Sequence, residues 1–233
     1  MIARLLNGQH KLFVIRIPRG IETLAYHIKE VFYSIQGEGF HTGKPMVFCR
    51  FSGCNLWSGL EKHRDQAQCQ FCDTDFVGTD GEGGGVFEEA SELYQHLLSF
   101  WPGPKESLWI EFTGGEPSLQ LDTEMIKYCK EQGASLSIES NGTRELPHGL
   151  DWICISPKSG VGLKQKNGHE LKLIFPQKGL SPEEFKNCDF QTFYLQPMDG
   201  PDLERNRQLA VEYCLEHPEW NLSMQIHKTL HIK

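Results

Sequence analysis

Three cysteines between positions 54 and 72 are the residues of this sequence best suited to inorganic chemistry. Cys54, Cys69 and Cys72 have the spacing C-x14-C-x2-C, and Asp73 and Thr74 follow directly. A [4Fe-4S] cluster that only transfers electrons takes four cysteines, so three thiolates are one too few to fill it. A cluster held by these three would keep one iron open. A small molecule could be chelated and react at that iron.

A zinc site is the alternative interpretation of the same stretch. His63 lies in the long connection between Cys54 and Cys69, which could bring its imidazole to the three cysteines as a closed Cys3His site. Uncommitted thiols are a third possibility. These residues alone do not decide among the three, so the rest of the chain must.

Composition restricts the classes of function. A chain of 233 residues with 39% hydrophobic and 23% charged residues can fold into a globular domain with a full core. Its net charge of -8 argues against broad binding to nucleic acids, because phosphate recognition needs clustered Lys and Arg. No apolar run approaches the roughly 18 residues of a membrane span. A small-molecule substrate is therefore expected.

The remaining cysteines are expected to be free thiols in a reducing cytoplasm. Eight cysteines are too small a share of this chain for a disulfide-stapled scaffold. The five outside the motif fall in or beside predicted helices and strands, where a thiol behaves as a small hydrophobe. They are Cys49, Cys129, Cys154, Cys188 and Cys214.

The first 25 residues differ from the rest of the chain. They are basic and carry only a short apolar patch, which is too short and too charged for a secretory signal. We expect residues 1–25 to be a loose tail, or an artefact of a start site placed too early, with Leu24 as an alternative start. Residues 26–233 are predicted to form a single domain.

Polar, turn-rich motifs follow nearly every predicted strand. Helical periodicity predicts helices over 87–101, over 122–132 with Asp122 as the cap, over a short stretch opening at Ser181, and over 203–216. Short apolar runs predict the strands, which are 27–35, 46–51, 108–112, 135–139, 152–156, 170–175, 192–196 and 221–226.

This arrangement predicts an α/β fold whose functional residues share one rim. In parallel α/β sheets and barrels, ligand sites gather at the carboxyl ends of the strands. The residues expected to surround one cavity are Cys54, Glu116, Glu139, Lys158, Gln196 and His227. No convincing crossover helix separates the strands on either side of 152–156. We therefore predict an incomplete, partly open (β/α) barrel.

The rim residues suit a ligand bearing an amine and a carboxylate. S-adenosylmethionine is such a ligand for an open iron, and electron transfer into its sulfonium gives an adenosyl radical. Gly114 and Gly115 offer main-chain groups beside a ligand amine. Polar side chains are available in Glu139, Ser156, Lys158, Gln196 and Asp199. Each could instead serve its own loop, but their joint placement beside three cysteines favours a ligand site.

Four motifs together resemble the 7-carboxy-7-deazaguanine synthase family, a radical S-adenosylmethionine family of the queuosine pathway. They are the cysteine motif, Q-G-E-G at 36–39, T-G-G-E-P at 113–117 and S-M-Q-I-H-K at 223–228. The resemblance runs from about residue 26 onward and implies a single radical S-adenosylmethionine catalytic domain there. Most of that superfamily uses C-x3-C-x2-C. This family carries an enlarged loop, so we predict that His63 is a loop residue and no ligand.

The resemblance implies a ring contraction with three cofactors: the [4Fe-4S] cluster, S-adenosylmethionine and Mg2+. The adenosyl radical would take the C6 hydrogen of 6-carboxy-5,6,7,8-tetrahydropterin. Rearrangement, loss of ammonia and a deprotonation would then give 7-carboxy-7-deazaguanine. A reducing partner such as flavodoxin and a homodimer are also implied.

The resemblance assigns roles residue by residue. Cys54, Cys69 and Cys72 would hold the cluster. Residues bordering S-adenosylmethionine would be Phe71, Cys72, Asp73, Gly115, Ser156, Pro157, Lys158, Gln196, Pro197, Met198 and Asp199. Residues lining the pterin pocket would be Ile35, Gln36, Gly37, Arg50, Thr113 and Lys233.

Three of these assignments have a clear physical basis. Thr74 would bind Mg2+, which prefers oxygen ligands. The guanidinium of Arg50 can form two parallel hydrogen bonds with the substrate carboxylate. Lys233 lies five residues after Lys228, so the α-carboxylate of a chain ending there could reach the pterin.

Two other functions remain open at the level of sequence. A radical activase acting on a partner protein would share the cluster and rim but would need a broad docking surface. A zinc-stabilised binding module without catalysis would use the cysteines and would need none of the rim residues.

Overall fold

One mixed sheet organises the protein. The structure, a computed structural model, describes residues 25–233, so the expected tail lies outside it except for residue 25. Nine strands form the sheet in this part of the chain. They are β1 (Tyr26–Ile35), β2 (Pro45–Phe51), β3 (Gly85–Phe87), β4 (Trp109–Gly114), β5 (Ser135–Ser140), β6 (Trp152–Ile155), β7 (Asn167–Phe175), β8 (Asp189–Pro197) and β9 (Trp220–Leu222).

The strand order confirms the predicted open barrel. The order is β3-β1-β2-β4-β5-β6-β7-β8-β9, and β3 and β9 are its two unpaired edges. β1 is antiparallel to β2 and β3, whereas every neighbouring pair from β2 to β9 is parallel. The carboxyl ends of the parallel strands therefore meet at one rim, and the sheet does not close on itself.

Four helices accompany the sheet over residues 25–233: α1 (Ala90–Ser99), α2 (Thr123–Glu131), α3 (Leu203–Glu216) and α4 (Ile226–Leu230). The connections β5–β6 and β6–β7 contain none, as predicted. α3 has its predicted bounds, and the short helix after Ser181 is a 3-10 helix over Pro182–Phe185. The helix predicted over 87–101 begins later, because Phe87 belongs to β3, which was not predicted.

The strand predicted over 221–226 is wrong at its carboxyl end. β9 ends at Leu222, and residues 226–230 are helical instead. The chain leaves the sheet because Ser223 is buried and donates a hydrogen bond to Gln196 while it accepts one from Gly39. Its continuation is then fixed by the backbone bond from Ile226 N to Gly37 O at 3.0 Å.

Apolar residues pack on the outer face of the sheet. One cluster joins β1, β2, β4 and β5 to α1 and α2, and a second joins β7 and β8 to α3. Side chains alternate along a strand, so Ile110 and Phe112 pack outward and Glu111 between them points into the barrel. Cys49 and Cys129 are buried thiols of the first cluster, as expected, whereas Cys154 is buried in register with Glu139 and Glu170 on the neighbouring strands.

No helix in the described part of the chain is long and apolar enough to cross a membrane.

Asp122 is expected to stabilise the sheet and α2 together. Its Oδ1 accepts hydrogen bonds from Met125 N and from Tyr26 Oη, both at 2.9 Å. Replacing Asp122 with Ala should lower the free energy of unfolding by about 1–2 kcal/mol, the usual cost of a lost N-cap. Urea unfolding would measure this.

Asp202 provides the matched control, because it holds the N-cap position of α3 without a capping hydrogen bond. Asp202→Ala should change the free energy of unfolding by less than about 0.5 kcal/mol. Equal losses in the two variants would contradict the capping role of Asp122.

Candidate active site

The predicted site residues meet around one cavity at the carboxyl ends of the strands. This rim cavity has a volume of about 420 Å3. Nineteen of the twenty residues singled out for cofactors or substrate line it. They are Ile35, Gln36, Gly37, Arg50, Cys54, Cys69, Phe71, Cys72, Asp73, Thr74, Thr113, Gly115, Ser156, Lys158, Gln196, Pro197, Met198, Asp199 and Lys233.

Two residues from the sequence predictions lie behind the cavity wall. Pro157 is buried and does not line the cavity. Glu116 was expected at the rim, and that expectation is wrong, because its carboxylate is fully buried. It accepts hydrogen bonds from Ser140 Oγ and Asn141 N at 2.7 Å and from Ser118 N at 3.0 Å. Glu116 therefore ties the loop after β4 to the end of β5.

The three motif cysteines line the cavity as free thiols. Leu56 N donates to Cys54 Sγ at 3.4 Å, and Thr74 N donates to the sulfur of Cys72. A hydrogen bond from the Cys69 thiol lowers the pKa of Cys72 to about 6. Main-chain donors aimed at sulfur are among the features that tune iron–sulfur clusters. The donor set therefore fits a cluster held by three thiolates.

The zinc alternative does not fit this geometry. His63 is absent from the cavity lining, and its Nδ1 lies 2.8 Å from Ser58 Oγ. Within residues 25–233, no group of three or more His, Cys, Asp or Glu side chains could hold a metal ion. A zinc ion needs its ligands around one point, whereas each thiolate of a cluster binds a different iron.

Two glycines allow close approach at the rim. A Cβ on Gly115 would lie 2.0 Å from Gly53 O, beside the first motif cysteine. A Cβ on Gly37 would lie 2.2 Å from Nδ1 of His227. Any larger residue at either position would push apart the loops that form the cavity wall.

Arg50 is held in place by an ion pair. Its Nε donates to Glu30 Oε1 at 2.9 Å, and both side chains are largely buried. The guanidinium carbon lies 5.8 Å from the ring centre of Phe32. Lys233 Nζ approaches Glu30 Oε2 at 3.6 Å, and Ser34 Oγ donates to the backbone oxygen of Lys233 at 2.6 Å.

The sequence analysis missed a cluster of charges inside the barrel. Lys172 on β7 is 2% exposed, and its Nζ lies 2.6 Å from Glu38 Oε2 and 2.8 Å from Glu139 Oε1. We define the interior charge cluster as Glu38, Glu111, Glu139, Glu170 and Lys172. Its signal was present in the sequence, because Glu170 and Lys172 alternate with Leu171 and Leu173 and so face inward.

The surroundings lower the pKa of one carboxyl group of this cluster and raise the pKa of two others. Burial would raise the pKa of Glu38, but the charge and hydrogen bond of Lys172 and the hydrogen bond from Gln225 together outweigh it and lower that pKa to about 2. Burial and the charge of Glu139 raise the pKa of Glu111 well above its ordinary range, and burial raises the pKa of Glu170. One ammonium group thus holds Glu38 ionised, and the deeper carboxyls favour the protonated form.

Residues 223–233, the C-terminal segment, cross the open side of the barrel. Gln225 Nε2 donates to Glu38 Oε1 at 2.8 Å. Lys228 Nζ lies 2.5 Å from Oδ2 of both Asp73 and Asp199, which come from opposite walls of the cavity. The segment therefore links the cysteine loop, the end of β8 and the loop after β1.

The known proteins that are similar to this chain share one name. No protein-family model matches the chain. A 7-carboxy-7-deazaguanine synthase from Caulobacter vibrioides is 54% identical over 207 residues, which is 89% of this chain and 99% of that protein. Proteins of the same name from Bradyrhizobium diazoefficiens and Bordetella pertussis are each 50% identical, over 90% of this chain and 100% of theirs.

The fold has a solved counterpart. The crystal structure of QueE from Escherichia coli superimposes with a TM-score of 0.63 at 23% identity, covering 86% of this chain and 94% of that chain. At that identity the likeness concerns the fold.

Glu111→Gln should stabilise the protein increasingly as pH rises. A carboxyl whose pKa is raised by folding contributes stability below its unfolded pKa and loses that contribution as pH rises through the folded pKa. Gln resembles the protonated acid and does not titrate. Urea unfolding of the variant and the parent should therefore agree best near pH 4 and diverge above the ordinary value of 4.5.

Glu145→Gln is the control, because Glu145 is exposed. Its difference from the parent should be small at every pH. A Glu111→Gln difference that stays constant across pH would mean that Glu111 is not held protonated by the fold.

Proposed function

This chain belongs to the 7-carboxy-7-deazaguanine synthase family, and from that membership we propose that its rim cavity converts 6-carboxy-5,6,7,8-tetrahydropterin to 7-carboxy-7-deazaguanine. Ammonia is the second product. The observation that carries the proposal is the meeting of three free thiols with Arg50 and the strand-end motifs around one cavity. A protein activase and a zinc module are not favoured, because the relatives are named as a small-molecule synthase.

Cys54, Cys69 and Cys72 are the proposed cluster ligands. When bound, a [4Fe-4S] cluster with an open iron supplies reductive cleavage of S-adenosylmethionine and hence the radical that takes the substrate C6 hydrogen. The chain's own contribution is to place its thiolates and to exclude water from the cavity. The apolar side chains of Trp57 and Phe76 line the cavity near the cysteines and serve the second purpose.

The residues proposed to hold S-adenosylmethionine come from four loops. Gly115 offers its main chain beside the first cysteine, and Lys158 is held by Ser156 through hydrogen bonds of 2.7 and 2.8 Å. Asp73 and Asp199 are carboxylates that can accept from ribose hydroxyls or from the ammonium group. The other proposed contacts are Phe71, Cys72, Pro197, Met198 and Gln196, with Pro157 supporting from behind the wall.

Arg50 is the proposed anchor of the substrate carboxylate. Its Nε is bound to Glu30, which fixes the guanidinium plane, and its remaining N–H groups can serve a carboxylate. The rest of the proposed pterin pocket consists of Ile35, Gln36, Gly37, Thr113 and Lys233. Its polar floor is formed by Glu38, Glu139 and Lys172, the members of the interior charge cluster that line the cavity.

Thr74 is the proposed protein ligand of Mg2+. It lies between Asp73 and Asp75 in the cavity lining, and its hydroxyl supplies the kind of oxygen ligand that this cation prefers. Mg2+ keeps several waters and can bridge to a substrate carboxylate, so one protein oxygen is enough. The cation would stabilise charge that develops during the rearrangement.

A reducing partner such as flavodoxin and a homodimeric state complete the proposal. The cluster must be reduced before S-adenosylmethionine can be cleaved, and an external electron donor would supply that electron. Eight free thiols and an iron–sulfur site need reducing surroundings, which supports a cytoplasmic location.

Cys69→Ala should abolish formation of the deazapurine. Anaerobic reconstitution with iron and sulfide, followed by incubation with S-adenosylmethionine, Mg2+, a reductant and the pterin, is the direct assay. The parent should bind about four irons per chain and form the product. Cys188→Ala, a half-buried thiol outside the cavity, is the matched control and should keep both properties. Product formation by Cys69→Ala would refute the proposed cluster.

Arg50→Lys should raise the substrate KM about tenfold, because an ammonium group cannot form the parallel pair of hydrogen bonds, and about 1.4 kcal/mol corresponds to a factor of ten. The KM for S-adenosylmethionine should stay unchanged. Arg144→Lys is the control, since Arg144 is exposed and lies outside the cavity lining. An unchanged pterin KM would place the substrate carboxylate elsewhere.

A further inference from the structure

Apart from Trp57 in the cavity wall, the long connection between the first two motif cysteines has no part in the function proposed so far. It covers residues 55–68 and contains a 3-10 helix over Glu61–Gln66 with no buried residue. Loop-closure entropy changes only slowly with length, so the length of this loop alone does nothing to place Cys69 and Cys72. The contacts of one residue in this helix give the loop a purpose.

Arg64 reaches from the helix to the main chain of the turn that carries Cys69 and Cys72. Its Nη1 donates to Gln70 O at 2.7 Å and to Cys72 O at 3.0 Å. The opposite side of the guanidinium is bound by Glu61, whose two oxygens accept from Nε at 2.7 Å and from Nη2 at 2.5 Å. The carboxylate thus fixes the plane in which Arg64 meets both carbonyl groups.

The same guanidinium stacks on an aromatic wall of the rim cavity. Its carbon lies 4.1 Å from the ring centre of Trp57, and Trp57 packs edge-on against Phe76. Trp57 and Phe76 both line the cavity. Arg64 is therefore held from three directions: by a carboxylate, by an aromatic face and by two carbonyl groups.

Further main-chain bonds close the loop at its base. Gln68 N donates to Leu56 O at 3.0 Å, and Gln70 Nε2 donates to Asp65 O at 3.0 Å. Leu56 in turn donates its N–H to Cys54 Sγ. The loop is thus tied to the first cysteine through Leu56 and to the other two through Arg64.

We propose that Arg64 is a positioning residue that holds the turn containing Cys69 and Cys72 in its ligand arrangement before a cluster is assembled. The inference rests on the proposed cluster site and adds a role for the enlarged loop. Arginine is suited to it because a planar guanidinium can stack, pair with a carboxylate and bridge two carbonyl groups at once. Lysine has a point charge and cannot do all three.

The first test uses the full-length protein without a cluster, with amide hydrogen exchange as the readout. The reporters are Thr74 N–H, which donates to the Cys72 sulfur, and Gln68 N–H, which donates to Leu56 O. In Arg64→Ala their exchange should be about tenfold faster, because charged hydrogen bonds to two carbonyl groups are lost. Arg64→Lys should lie between the parent and Arg64→Ala.

The second test uses the reconstituted protein and measures the rate of iron release to a chelator. Arg64→Ala should release iron about tenfold faster than the parent, and Arg64→Lys should be partly protected. Lys62→Ala is the matched control, because Lys62 is an exposed residue of the same 3-10 helix. It should match the parent within about twofold in both tests.

The outcomes separate this inference from the proposed function. Unchanged exchange and unchanged iron release in Arg64→Ala would overturn the role of Arg64 while leaving the cluster in place. If the parent binds no iron, the proposed function fails, and the exchange experiment still decides whether Arg64 holds the turn. Urea unfolding gives the loss in the free energy of global unfolding, and the exchange rates give the loss in the free energy of local opening. Equal losses in Arg64→Ala would mean that the substitution destabilises the whole protein, and this would also overturn the proposal.

Discussion

A single buried ammonium group holds the two sides of the barrel interior together. Lys172 on β7 pairs with Glu139 on β5 and with Glu38 on the loop after β1. Removing one partner of such a buried set costs about 3–5 kcal/mol, because the remaining charge is left without compensation. Removing these charges from water itself costs free energy, so the effect of the ion pairs is to fix one arrangement of the strands and the loop. The cavity floor is therefore polar and rigid where an ordinary barrel would have aliphatic layers.

An incomplete sheet needs some other means of closing its site. The C-terminal segment provides this, because it binds the glycine-rich loop after β1 through Ile226 and Gln225 and spans Asp73 and Asp199 through Lys228. The small size of Gly37 permits this contact, since a side chain there would collide with His227. Closure thus depends on a few polar contacts between distant parts of the chain, which are easier to open than a sheet ladder.

The cysteine loop is likewise held in place by a few polar contacts. The sulfur atoms receive main-chain N–H donors from Leu56 and Thr74, and the turn that carries two of them is bound by Arg64. Polar groups that would otherwise be unsatisfied at the edge of the cavity are thereby paired inside the protein. The cysteine loop lines the same cavity as Glu38, Glu139 and Lys172 of the interior charge cluster.

The sequence by itself determined the local features of this protein. Strand and helix positions such as α3, the cap at Asp122, the rim placement of the motifs and the open barrel all follow from periodicity and from polar motifs after apolar runs. These signals come from residues that are close together in the sequence, so they can be recognised without the tertiary structure. The family resemblance then pointed to the residues that line the cavity, with Pro157 the exception.

Only the tertiary structure decided which polar side chains face the cavity and which are buried behind it. Glu116 turns away because its partners Ser140 and Asn141 come from the next strand. Lys172 finds a carboxylate 134 residues away, and β9 ends early because Ser223 meets Gly39 and Gln196. The hydrogen-bond partner of a buried polar group is chosen by proximity in space. That proximity is set by the closing of the whole sheet, which no local pattern encodes.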